Sequence, residues 1–266
     1  MPENRTRLFL LTFSFFVLCI FLVVSQFLIL NCYFNHNKTF DYERVVKLSG
    51  KTVFISDLHI NSRHLSQYGA ISVNLQEDTK TLIMVGDTFH KEDVFNLMND
   101  NPGSLPGTSF CKALTFISNV PKDVYFLYGE GHDPDFLSTS DFKNYFMLCD
   151  DQTRIHLIGE EAVFEVDGVK IIAHHGHWIA GGVADCVVSY FAKQLGQPLV
   201  LERLWKKEMG VSDDYWLITG HSHVPAIDYK DKIANSGGWI EIPIIGGDLG
   251  NVIIIENGTV RLQKLE

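Results

Sequence analysis

Val53-Phe54-Ile55-Ser56-Asp57-Leu58-His59 is a β-branched and aromatic run that ends in a carboxylate and an imidazole. The run predicts a buried strand, and Ser56 marks its end. In extended chain, residues i and i+2 point to the same side, so Asp57 and His59 can reach one metal ion. Taken alone, Asp-x-His is a weak signal. The same construction recurs along the chain. The apolar run 82–85 ends in Gly86-Asp87, and 124–128 ends in Gly129-Glu130-Gly131-His132-Asp133. Residues 169–173 lead into His174-His175-Gly176-His177, and 215–219 into Gly220-His221-Ser222-His223. In layered α/β folds, sites collect where strands end at their carboxyl termini. A purely structural reading leaves this recurrence without a cause.

Asp57-x-His59, Gly86-Asp87, Gly131-His132-Asp133, His175-Gly176-His177 and Gly220-His221-x-His223 stand in the order and spacing of the calcineurin-like metallophosphoesterases. From about residue 51 to 264 the chain resembles that family. Asn235-Ser236-Gly237-Gly238-Trp239 is similar to the Asn-x-Gly-x-Trp turn of many small members. One element departs from the pattern. The third motif is usually Gly-Asn-His followed by Asp or Glu, and here the Asn is missing.

The resemblance implies two packed mixed β-sheets flanked by helices, an α/β (α+β) fold. It also implies two divalent metal ions, with Asp57, His59 and His223 on the first, His175 and His221 on the second, and Asp87 bridging them. His132 would stabilise or protonate the leaving oxygen, and Asp133 would orient His132. These oxygen and nitrogen donors suit Mn²⁺ first, with Fe or Zn²⁺ as alternatives. Two such ions clamp phosphate oxygens and activate a hydroxide between them. Without the Asn, three readings of the second site stay open. Gly131 stands in its place, or Glu130 supplies an oxygen ligand, or water completes a weaker site. His174 and His177 are candidates for supporting the ligands or touching substrate. His64, His90 and His156 carry no motif and read as structural.

The formal net charge is −10, which argues against a broad basic surface for nucleic acid, so no nucleic-acid partner is expected. A phosphate substrate is compatible, because bound cations reverse the local field. The chain has five cysteines with no Cys-x-x-Cys, which predicts buried thiols rather than a disulfide framework.

Residues 8–30 are apolar, with only Thr12, Ser14, Ser25 and Gln26 polar and no charge. At ~1.5 Å per residue that length crosses a hydrocarbon core of ~30 Å. It predicts a single-pass N-terminal transmembrane anchor over residues 1–30, a tether over 31–50 and a catalytic domain over 51–266. Arg5 and Arg7 precede the apolar run and Lys38, Arg44, Lys47 and Lys51 follow it, so the charges do not decide its orientation. Asn37-Lys38-Thr39 and Asn257-Gly258-Thr259 fit the glycosylation acceptor pattern, which is common by chance.

Within the domain, 63–77 and 108–119 read as helices between strands, 93–100 as a short helix, and 101–107 as a breaker-rich loop. Strand, helix, strand, helix, strand predicts a parallel sheet. From residue 154 on, short strands alternate with hairpin turns at Asp167-Gly168 and Asn257-Gly258. Between His177 and Gly220, Val183, Val187, Phe191 and Leu195 recur every four residues, and 199–209 reads as a second helix. This excursion (178–213) is either packed on the scaffold or a lid over the metals. The functional reading is a membrane-anchored, metal-dependent phosphoesterase acting on a phosphomonoester, phosphodiester or pyrophosphate. Its substrate would be a phosphorylated small molecule or a lipid-linked one. The alternative is a degenerate member that serves as a binding or scaffolding module at the membrane.

Overall fold

The computed structural model describes residues 42, 44–60, 73–90, 111, 114–129, 132–133, 146–149, 152–177, 183–242 and 247–265. The first sheet runs β1 (Val45–Leu48), β9 (Glu161–Val166), β10 (Val169–His174), β11 (Trp216–Thr219), β13 (Ile233–Asn235), β12 (Ala226–Asp228). The second runs β15 (Thr259–Lys264), β14 (Asn251–Glu256), β2 (Thr52–Ile55), β4 (Thr81–Val85), β6 (Asp123–Leu127), β8 (Thr153–Gly159), β7 (Phe146–Cys149). Both sheets are mixed, and they pack face to face, the architecture the resemblance implies. Strands β2, β4, β6 and β8 are parallel, with Ile55 beside Met84 and Val85 beside Leu127, so their carboxyl ends lie together.

Side-chain alternation makes the layers. Phe54, Ile83 and Val85 face inward and meet Phe164, Ile171, Ala173 and Ile218 of the other sheet. Phe54 and Phe164 touch edge to face across this interface, centroids 6.0 Å apart. Val53, Ile55, Leu82 and Met84 point outward into a second core with Val73, Phe89 and Ile117. Strands buried on both faces are apolar along most of their length, which is why they read as continuous runs rather than alternating ones. Ile172 and Leu217 face outward from the first sheet and are covered by Leu199, Leu201 and Trp205.

That cover is the excursion between the fourth and fifth motifs. It forms helices α1 (Val183–Gln194) and α2 (Val200–Glu208), broken at Gly196-Gln197-Pro198 as expected. Helix α2 lies on the outer face of the first sheet. Phe191 and Leu195, expected on the apolar face of α1, are exposed.

Several expectations are corrected. Residues 45–48, assigned to the tether, form β1, which pairs in parallel with β9. The ends of two expected helices are strands: β3 (Val73–Asn74) pairs with β5 (Ile117–Ser118). Val73 and Ile117 are buried there, and tertiary pairing overrides local propensity. Cys111 and Cys149 form a disulfide, Cα atoms 5.5 Å apart, while Cys186 is buried and lies outside that bond. The two half-cystines are 38 residues apart, and only the docking of β7 beside β8 brings them together. Among the described residues no helix is long and apolar enough to cross a membrane. The expected anchor at 8–30, the helix at 93–100 and the candidate ligand Glu130 lie outside the described residues.

Candidate metal centre

The strand ends deliver the motif residues to one place because the ladder continues past the strands. Asp57 N–H donates to the Gly86 carbonyl at 3.1 Å, and His59 N–H to the Asp87 carbonyl at 2.9 Å. The first sheet joins through Gly220 N–H, which donates to the His175 carbonyl at 3.0 Å. The two sheets are tied at the site by the His175 ring, whose Nδ1 lies 2.8 Å from the Val85 carbonyl oxygen. A carbonyl only accepts, so Nδ1 carries the hydrogen and Nε2 is left as the ligating atom.

Six expected ligands converge. His223 Nε2 lies 3.2 Å from Asp57 Oδ1 and 3.3 Å from His59 Nε2. His175 Nε2 lies 3.1 Å from Asp87 Oδ2, and His59 Nε2 lies 3.8 Å from the same oxygen. Two donors ~2.1 Å from one ion at ~90–110° are about 3.0–3.4 Å apart, so these spacings suit shared ligation. Among the described residues, three groups have donor atoms within 4.8 Å of one another: Asp57, His59, His223; Asp87, His175, His221; and His59, Asp87, His132. The first two are the expected divisions of the two sites. The third groups His132 with His59 and Asp87, the carboxylate expected to bridge. Asp87 Oδ1 is buried with no hydrogen-bond partner, and an orphaned buried carboxylate oxygen fits a cation.

The backbone carries strain here. Asp57, His59, Asp87, His221 and His223 all have positive φ, between 45° and 62°. Each such non-glycine residue costs of order 1–3 kcal/mol, and such residues cluster at functional sites. Glycine is needed where chains cross closely. A Cβ at Gly220 would run into Ser56 Oγ and the Asp57 carboxylate.

Electrostatics follows from burial. Burial opposes charge on Asp57, but His223, His175 and His59 outweigh it and hold its carboxyl far below the usual range. Burial also opposes charge on His175, yet Asp87 and Asp57 raise it to about 10. His59 goes the other way: burial pushes it down to about 3 despite the same two carboxylates. Burial lowers His132 as well.

Asp133 is the residue expected to orient His132. It is fully buried, and its Oδ1 accepts from Phe89 N–H at 3.0 Å and its Oδ2 from Gly129 N–H at 2.8 Å. The carboxylate braces the loops after β4 and β6. Burial, followed by Asp87, raises its pKa to about 8.

His174 is buried, stacks on Trp205 with centroids 5.0 Å apart, and its Nδ1 accepts from Gly176 N–H. The ring of His177 lies 5.9 Å from that of His175. His156 is structural as expected, 2.9 Å from Asp123 and stacked on Tyr125. His90, expected to be structural, has its ring 5.2 Å from His132 and 6.2 Å from His59. The Asn235 turn braces the fifth motif: Asn235 Nδ2 donates to the Gly220 carbonyl at 2.6 Å and to Glu202 Oε1 at 2.9 Å. Trp239 N–H donates to the Asp57 carbonyl, and Ser56 Oγ lies 2.5 Å from Asp57 Oδ2. Sequence reading missed Ser56, Asp185 and Glu202. Nothing in their local patterns distinguishes them.

No protein-family model matches the chain, and no curated protein does. Solved structures do. A single mutant of Vps29 from Entamoeba histolytica is 15% identical with a TM-score of 0.39, covering 81% of this chain and 98% of that one. A novel archaeal phosphodiesterase is 15% identical with a TM-score of 0.39, covering 81% and 99%. A cold-active protein-tyrosine phosphatase of a psychrophilic Shewanella is 13% identical with a TM-score of 0.36, covering 86% of each chain. These are distant similarities, and the chemistry of the site rests on its own donors.

Proposed function

We propose that the chain is a metal-dependent phosphoesterase in which Asp57, His59, Asp87, His175, His221 and His223 hold two divalent ions, with Asp87 between them. The observation that carries this reading is the convergence of these oxygen and nitrogen donors, with His175–Asp87, His223–Asp57 and His59–His223 at 3.1–3.3 Å and His221 within 4.8 Å of Asp87 and His175. Divalent ions bound there supply charge for phosphate oxygens and generate a nucleophile near neutral pH. The donor set suits Mn²⁺, Fe or Zn²⁺.

The chain's own residues do the rest. His175 is held by Val85, so its free nitrogen faces Asp87. Its ring cannot turn without losing that bond. His132 is half-buried beside His59, ring centroids 4.6 Å apart, where it can hydrogen-bond a leaving oxygen. Substrates are phosphomonoesters, phosphodiesters or pyrophosphates, on a small or lipid-linked carrier.

The apolar segment 8–30 anchors the domain to a membrane. The Cys111–Cys149 disulfide supports placing the domain on the oxidising side of that membrane, since such bonds are rare in reducing compartments. Asn257, one of the two acceptor positions, is exposed at the turn between β14 and β15, at the opposite pole from the site.

The test compares wild type with Asp87→Asn by elemental metal analysis and by turnover of p-nitrophenyl phosphate and bis-p-nitrophenyl phosphate. Wild type should bind two ions per chain and hydrolyse at least one substrate. The variant should keep its circular dichroism spectrum and lose metal and turnover together. A fully metallated wild type without turnover would leave a binding module as the function.

A further inference from the structure

Helix α1 begins with Val183-Ala184-Asp185-Cys186, and both polar members of this turn reach the fifth motif. Asp185 is 2% exposed, and its Oδ2 lies 3.1 Å from His221 Nε2. Cys186 Sγ lies 3.5 Å from the His221 carbonyl oxygen. The N–H of His221 donates to Asp57 Oδ2 at 2.9 Å. His221 is therefore held at its amide, its carbonyl and its ring, in a backbone conformation with φ of 62° that a non-glycine residue adopts at a cost.

We propose that Asp185 is the positioning residue of the second metal site: it takes the Nε2 hydrogen of His221 and leaves Nδ1 to ligate the ion. This rests on the dinuclear reading above. A carboxylate is a full-time acceptor when ionised, so it selects the tautomer with hydrogen on Nε2. Histidines that ligate metals usually donate their other N–H to such a group, which fixes the ring and raises its basicity. His221 lies within ligating distance of Asp87 and His175, their donor atoms being within 4.8 Å of one another, and Asp185 stands outside that trio.

The arrangement bears on the altered third motif. The second site lacks the usual Asn, and a buried oxygen acceptor on His221 fixes a ligand that remains. Helix α2 adds a parallel support one residue along: buried Glu202 Oε1 accepts from Ser222 Oγ at 3.0 Å. The excursion thus delivers two carboxylates to the metal loop from behind. It acts as a foundation, and its sequence is read as part of the site.

The experiment uses the full chain and titrates Mn²⁺ into wild type, Asp185→Ala and Asp185→Asn, read by calorimetry and by electron paramagnetic resonance. In Asp185→Ala the second ion should bind 10–100-fold more weakly, with the first within about threefold of wild type. At one ion per chain, the coupled-pair signal should then give way to an isolated Mn²⁺ signal. Asp185→Asn keeps an oxygen acceptor for Nε2–H and should stay within about threefold of wild type at both sites. Unchanged binding in Asp185→Ala would overturn the proposal, as would equal losses in the Asn and Ala variants. Equal weakening of both ions, or loss of the folded circular dichroism spectrum in both variants, would mark Asp185 as structural and also overturn it. A wild type that binds no second ion would instead fail the dinuclear reading itself.

Discussion

Replacing Asp133 by alanine separates two roles for one buried carboxylate. In the structure both oxygens are spent on backbone amides, those of Phe89 and Gly129, at 3.0 and 2.8 Å. The side chain is fully buried, so water cannot replace it. Each amide left without an acceptor costs about 1–3 kcal/mol, so Asp133→Ala should destabilise the fold by about 2–6 kcal/mol. At ~2–4 °C per kcal/mol, a loss of ~3 kcal/mol lowers Tm by ~6–12 °C. Asp133→Asn keeps one acceptor oxygen but turns an N–H donor toward the other amide. It should cost about half as much, ~1–3 kcal/mol. The assay is urea unfolding in chelator, so that metal loss does not contribute, with the midpoint shifting at constant slope. Metal affinity should also fall, because Phe89 and Gly129 flank the loop that carries Asp87. An Asp133→Ala variant that unfolds at the wild-type midpoint while its kcat drops would refute this bracing role. Asp133 would then act through the His132 ring.

Three further outcomes are expected. His132→Ala should lower kcat by ~10²–10⁴-fold with less loss on an aryl than an alkyl phosphate, and equal losses on both would argue against a role at the leaving oxygen. In the metal-free protein His175 is held up to about 10, against an ordinary value of 6.5, so it binds a proton that a metal must displace. Its protonation stabilises the metal-free fold fully below pH ~6.5, and this is lost as pH rises through about 10. Calorimetry in buffers of different ionisation enthalpy should therefore show proton release on metal binding and tighter binding at pH 8 than at pH 7; no release would contradict the charge balance. Reducing the Cys111–Cys149 bond, which closes a loop of 38 residues, should cost about 4 kcal/mol in unfolding free energy, and identical denaturation midpoints with and without reductant would show the thiols unpaired.

The strands and the Asp and His residues at their ends were legible in the sequence because both are local properties. An apolar run such as Val53-Phe54-Ile55 declares a strand buried on both faces, and Asp57 and His59 share a side through the two-residue period alone. Parallel pairing then placed Asp57 beside Asp87 in one sheet and His175 beside His221 in the other, and the packing of the two sheets brought the pairs together. The supports were not legible, because each depends on what a distant segment brings. Asp133 is one residue from His132, yet its partners sit on Phe89 and Gly129, reached only when β4 and β6 align. Asp185 lies 36 residues before His221 in a helix whose apolar periodicity says nothing about its one buried carboxylate. Local propensity also misread 73–77 and 117–119, where β3 and β5 gain more from pairing than a helical turn would give. Charge behaved the same way. Asp57 and His175 have ordinary affinities for protons in an unfolded chain; burial opposes charge on both, and only the packing of the two sheets sets His223, His175 and His59 around Asp57, and Asp87 and Asp57 around His175, so that both shift the other way.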